Sequence, residues 1–181
     1  MAKKISILRG INVSGQKKIK MADLREHYEG LGFEDVTSYI QSGNVFFNTS
    51  IDDTSTLIKM IESMIAEKYG FEVPVIIRTA DELANVIETN PHTHVPEDKF
   101  NVYIVTFLGA EPTAEACAEI PAVGPAGEET AIIGREVYTF YPNGSGRSKM
   151  TTNYFEKKLG VTATARNWKS VRKLLELATN Q

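Results

Sequence analysis

Apolar positions along the chain follow two rhythms, one of strands and one of helices, and the same order of rhythms occurs twice. The run KISIL at residues 4–8 reads as a buried strand closed by Arg9 and Gly10. After a polar loop, Met21, Leu24, Tyr28 and Leu31 recur at helical spacing, and Gly32 ends that helix. Residues 35–41 and 44–49 are rich in β-branched and aromatic side chains, and Ser42-Gly43 between them predicts a two-residue hairpin turn. Leu57, Ile58, Ile61, Met64 and Ile65 make an amphipathic helix that stops at Gly70, and Val73 to Ile77 a fourth strand. The order is β-α-β-β-α-β.

A connecting helix begins at the capping box Thr79-Ala-Asp-Glu82 and ends at Asn90-Pro91. The order then repeats. Val102 to Leu108 is a strand, residues 112–118 a short and weakly patterned helix, and 119–128 a loop. Residues 130–133 and 136–141 are strands joined by the two-residue turn Gly134-Arg135. A helix over 150–159 stops at Gly160, residues 161–165 form a short strand, and a last helix carries Trp168, Val171, Leu174, Leu175 and Ala178 on one face. Two β-α-β-β-α-β units predict an α+β protein of two ferredoxin-like halves, with antiparallel sheets covered by helices. The expected division is 1–78 and 79–181.

Composition narrows the function by exclusion. No apolar run approaches the roughly 20 residues of a membrane-spanning helix, and the start MAKKISILRG lacks the apolar region of a signal peptide. Cys117 is the single cysteine, which rules out a disulfide within the chain and a cysteine-built zinc site. These features lead us to expect a cytoplasmic protein without membrane attachment. The net charge of −3 hides a division along the chain. Residues 1–25 hold seven basic residues against one acidic, and 141–173 hold eight against one, while 26–140 hold five against twenty. One reading is ordinary variation between solvated faces; the sharper one joins the two basic segments into a single anion-attracting surface.

Four segments carry a resemblance: RGINVSGQKKIKM (9–21), LGFEDVTSYIQSGNVFF (31–47), GRSKMT (146–151) and TARNWKSVRKLLELA (164–178). Together they resemble the bacterial family known as domain of unknown function 1697, along essentially the whole chain. The resemblance implies a compact two-part α+β fold and no particular activity, so no catalytic residue carries over. Ser14 stands where the family pattern has a second Gly after Val13, and Met150 where it usually has Leu after Lys149.

The loop RGINVSGQKK leaves a strand and leads to a helix, with Gly10 and Gly15 opening backbone amides beside Lys17 and Lys18. It is not a P-loop, because Gln16 follows Gly15 and no Ser or Thr follows Lys17 to hold Mg²⁺. Asn12-Val-Ser14-Gly15-Gln-Lys-Lys18 shares an N-x-S-G-x-x-K spelling with Asn143-Gly-Ser145-Gly146-Arg-Ser-Lys149. In a ferredoxin-like unit the first and third strands are expected to be the central, parallel pair, so both loops should leave from comparable sheet ends. Arg9, Gly10, Asn12, Ser14, Gly15, Lys17 and Lys18 are thus candidate anion-binding residues, with Arg147, Ser148 and Lys149 from the second loop. Arg166 and Asn167 join them as residues that either cap and pack the last helix or point at the same anion. Pro142-Asn143-Gly144 and the Ser42-Gly43 region read equally as plain turns.

His92-Thr-His94 has a spacing found in metal sites but lies in a Pro-bounded loop without a third ligand, so no metal is expected and both histidines should be partly exposed. Cys117 has no activating neighbour in sequence. Three functions remain: a module binding an anionic small molecule or a nucleic acid; an enzyme on a phosphorylated or acylated substrate, with Arg9 or Arg147 stabilising charge and Asn12 or Asn44 orienting water; and a protein-interaction module. No cofactor is implied, and the sequence leaves catalysis and oligomeric state open.

Overall fold

The structure is a computed structural model, and residues 1–180 are described. The chain divides into two compact units, Met1–Leu83 with the final stretch from Leu174, and Ala84–Lys173. In the first, the order is β1 (Ala2–Leu8), α1 (Met21–Gly30), β2 (Glu34–Tyr39), β3 (Asn44–Thr49), α2 (Thr54–Tyr69) and β4 (Val75–Arg78). The strands lie in the order β2-β3-β1-β4, every neighbouring pair antiparallel. Leu8, Val45, Phe47, Val75 and Ile77 turn toward the helices and pack with Leu24 and Tyr28 of α1 and Leu57, Ile61 and Ile65 of α2. The period-2 alternation sends Ile5, Ile7, Phe46 and Ile76 to the other face, where they are also buried. Both faces of this sheet are therefore covered at its centre, which explains the unbroken apolar runs Val45–Phe47 and Val75–Ile77, while the edge strand β2 is polar.

The helix α3 (Ala80–Glu88) opens on the predicted capping box: the Glu82 amide donates to Thr79 Oγ1 at 3.1 Å, and the Thr79 amide donates to Glu82 Oε2 at 2.8 Å. The second unit follows with β5 (Tyr103–Leu108), α4 (Ala114–Ala118), β6 (Glu129–Ile133), β7 (Glu136–Phe140), α5 (Thr152–Leu159), β8 (Ala163–Asn167) and the start of α6 (Trp168–Thr179). Its sheet order is β6-β7-β5-β8, again antiparallel. Leu108, Val137, Tyr141, Met150, Phe155, Leu159 and Ala163 form the core on the helix side. On the other face Tyr103 and Tyr138 meet Trp168, and their hydroxyls donate to Asn90 Oδ1 and to the Val86 carbonyl.

The two units match in hydrogen bonding far better than in sequence. Arg9 N donates to Pro74 O in one and Gly109 N to Thr162 O in the other. Leu8 N donates to Gly43 O, and Leu108 N to Arg135 O. Ile5 pairs with Arg78 across β1 and β4, as Val105 pairs with Arg166 across β5 and β8. The repeat inferred from element order is thus a repeat of backbone register.

Three expectations are corrected. Gly134-Arg135 is the two-residue turn predicted, with Ile133 opposite Glu136 and Gly134 at φ 59°. The first hairpin is instead closed by the pair Tyr39–Asn44 around a four-residue loop, 40–43. Ile40 turns the chain early by taking φ 51°, and Asn44 Nδ2 holds the loop by donating to Tyr39 O and Ser42 Oγ. The central strands of each unit are antiparallel, not parallel, so the loops after them leave from opposite ends of their sheet. Finally, the last strand, expected over 161–165, runs over Ala163–Asn167, and Asn167 at its end then caps α6.

Candidate functional site

The segment between β1 and α1 is built from backbone conformations that side chains resist. Gly10, Asn12, Ser14, Gly15 and Lys17 all have positive φ, from 45° to 75°, and Ile11, Val13 and Gln16 between them do not. Ser14 and Gly15 form the two-residue turn of a tight hairpin between Val13 and Gln16, and alternation of hand at 10–14 is the kind that turns amides toward one side in anion-binding nests. Three amides are used inside the loop: Asn12 N donates to Lys17 O, Gln16 N to Val13 O, and Val13 is bridged back to Gln16. The amides of Ser14, Gly15 and Lys18 have no acceptor among the described residues. Three donors are therefore left open in a loop that contains no acidic residue.

Asn12 is the staple that holds this shape. Its Oδ1 accepts from Ile19 N at 2.9 Å, and its Nδ2 donates to Ile19 O at 3.0 Å and to Gln41 O at 2.9 Å. The last bond ties the loop to the 40–43 loop at the same end of the sheet, where Ile7 stands opposite Asn44. Gly43 closes the join: a Cβ there would lie 2.8 Å from both Ile11 Cδ1 and Leu8 Cβ. Lys17 is also engaged, its Nζ donating to the Glu72 carbonyl at 2.6 Å. Lys18 and Lys20 are exposed and have no carboxylate within ion-pair distance among the described residues. Asn12 and the buried Asn44 thus serve the loops themselves, which removes the amides considered for orienting a water.

The second Gly-rich loop, 141–151, differs inside. Its Ser148 hydroxyl donates to Glu128 Oε1 in a short bond, and Ala126 N donates to Glu128 Oε2 at 2.9 Å. Glu128 is buried, and the Ser148 hydroxyl, ahead of the opposing effect of burial, holds its carboxyl below the ordinary glutamate range. Gly124 makes room, since a Cβ there would run into the Glu128 carboxylate and Met150 Sδ. Asn143 Nδ2 donates to Ala126 O at 3.0 Å, and Tyr141 Oη to Met150 O at 2.6 Å. Arg147 and Lys149 are exposed. Nothing in the sequence separated Glu128 from the other acids of the middle segment, because its significance depends on a serine twenty residues later.

Arg166 is buried, donates from Nη1 to the Ala165 carbonyl at 2.8 Å, and is brought down to about 10 by that burial. Asn167 caps α6, its Oδ1 accepting from Ser170 N at 2.8 Å, and Trp168 is buried behind it. The packing reading of this segment is the one the structure has. His92 is buried rather than partly exposed, and burial lowers its pKa. His94 is exposed, with Nε2 2.9 Å from Glu129 Oε2. Among the described residues no three His, Cys, Asp or Glu side chains are grouped to hold a metal, and no helix is long and apolar enough to cross a membrane.

Two antiparallel four-stranded sheets in the order 2-3-1-4, each with helices packed on it, define an α+β protein of doubled ferredoxin-like architecture. The chain belongs to the family described as protein of unknown function (DUF1697), whose family model matches residues 1–138. Among solved structures it is similar to the conserved bacterial protein SP0830 from Streptococcus pneumoniae, with 27% identity, a TM-score of 0.70 and 99% of each chain covered. No curated protein matches it.

Proposed function

We propose that the protein is a binding module for a phosphate-containing ligand and that the loop 9–20 is its site. The observation that carries this reading is the set of unpartnered amides at Ser14, Gly15 and Lys18, in a loop rich in positive φ and beside Lys18 and Lys20. An anion in such a nest accepts several amide hydrogen bonds without any side chain having to reorganise, and a neighbouring ammonium adds a charge-assisted bond. The three non-glycine residues at positive φ support it further, because backbone strain of about 1–3 kcal/mol per residue is retained where the conformation has a use. The loop 141–151 is left out of the proposal. The Ser148 hydroxyl is already donated to Glu128, whose lowered pKa keeps a negative charge inside that loop that opposes an anion.

Titration with inorganic pyrophosphate, followed through backbone amide resonances, tests this. The resonances of residues 13–18 should move in a saturable way. Lys18→Ala should weaken binding by about 1–3 kcal/mol, or roughly 5- to 150-fold, with little change in thermal stability because the side chain is exposed. Saturation at millimolar pyrophosphate without movement of these amides would end the proposal.

A further inference from the structure

We infer, building on the phosphate reading of loop 9–20, that the ligand is an organic phosphate with an aliphatic body, which packs between Val13 and Ile40 while its phosphate lies in the nest. Few large apolar side chains are exposed on this chain, and these two belong to loops tied by a single hydrogen bond, Asn12 Nδ2 to Gln41 O. Each is one residue away from an end of that bond. Val13 is 56% exposed and Ile40 is 46% exposed, so neither contributes to the core.

Ile40 is the more telling of the two. A β-branched residue at φ 51° is a conformational outlier, and Gly or Asn would take that position without strain. An exposed isoleucine there brings neither burial nor a comfortable backbone to the folded protein. Folding alone gives no reason for it, whereas a ligand with apolar surface does. The surroundings define the rest of that ligand. Lys18, Lys20 and the open amides require negative charge, and no acidic residue lies between Arg9 and Met21 to tolerate a cation. Aromatic side chains are lacking in both loops, 9–20 and 40–43, which disfavours a stacked nucleobase and leaves aliphatic contact as the available chemistry.

The test compares methyl phosphate with butyl phosphate by calorimetry, on the full chain and on two variants. Butyl phosphate should bind at least tenfold tighter, since its added methylenes leave water against Val13 and Ile40. The variant Ile40→Asn, outside the phosphate loop, should erase most of that difference and leave methyl phosphate affinity unchanged; Asn accepts positive φ, so the 40–43 loop keeps its shape. Lys18→Ala should weaken both ligands by the same factor. Equal binding of the two phosphates by the unaltered protein would overturn the aliphatic-body inference while the phosphate site stands. A full preference that survives Ile40→Asn would overturn it as well, and failure of both ligands to bind would remove the phosphate reading with it.

Discussion

Single positions decide whether the join between loops 9–20 and 40–43 can form. Gly43 has two independent reasons to be glycine: its φ of 87°, and the 2.8 Å approach of Leu8 Cβ and Ile11 Cδ1 to the place a Cβ would occupy. Positive φ costs an alanine about 1–2 kcal/mol, and overpacking a tight site adds about 1–3. Gly43→Ala should therefore lower stability by about 2–5 kcal/mol in urea unfolding. Gly10→Ala is the matched control. Its φ is 70° with nothing within 4 Å of the added carbon, so it should show only the conformational part. Equal losses in the two variants would mean that the contact with Ile11 relaxes freely. Gly43 was legible in the sequence as a turn residue; its packing role was not, because Ile11 lies thirty-two residues earlier in the chain.

At the scale of elements, the sequence carried what is periodic and lost what depends on pairing. Strands and helices were readable from their period, and the caps from their chemistry: the Thr79–Glu82 box, Asn167 before Trp168, and Gly70 and Gly160 as left-handed helix ends. The four-residue first hairpin was missed because Ile40, a poor residue for positive φ, gives no turn signal. Strand direction was misjudged because nothing local states it. The loop 141–151 shows the same limit, since its cations are visible in sequence and its carboxylate is not. That carboxylate makes the loop's attachment pH-dependent. The folded-state pKa of Glu128 is below its unfolded value, chiefly through Ser148, so its contribution is present above the unfolded value of about 4.3 and is lost as pH falls through the folded one. Ser148→Ala should cost about 1–3 kcal/mol at pH 6, the range for a hydrogen bond to a charged group. The gap between variant and parent should narrow at pH 3, where the parent also loses the ionised acceptor. Urea midpoints at the two pH values measure it, and a gap independent of pH would assign Ser148 a role unrelated to the Glu128 charge.

Over the whole molecule, one backbone register is used twice and decorated differently each time. The connection after the first strand runs over residues 9–20 in one unit and only 109–113 in the other. After the third strand the relation reverses, 50–53 against 141–151. Since first and third strands are antiparallel, each unit has grown its long loop at a different end of its sheet. A duplicated scaffold therefore does not imply a duplicated site, and the shared N-x-S-G-x-x-K spelling sits in two unlike surroundings. One loop leaves the amides of Ser14, Gly15 and Lys18 unpartnered beside two lysines; the other holds a carboxylate through Ser148. The basic balances at 1–25 and 141–173 do not distinguish these cases, because charge counted along a sequence ignores what lies underneath. Hydrogen exchange with and without pyrophosphate does. A bound phosphate takes up the amides of Ser14, Gly15 and Lys18 and should slow their exchange, while residues 143–149 should exchange at the same rate with and without it. Lys18→Ala with Lys20→Ala should abolish the protection at a fixed pyrophosphate concentration. Protection of both loops, lost together in that double variant, would mean that one anion is held by both basic segments and that the Glu128 carboxylate is no barrier to it.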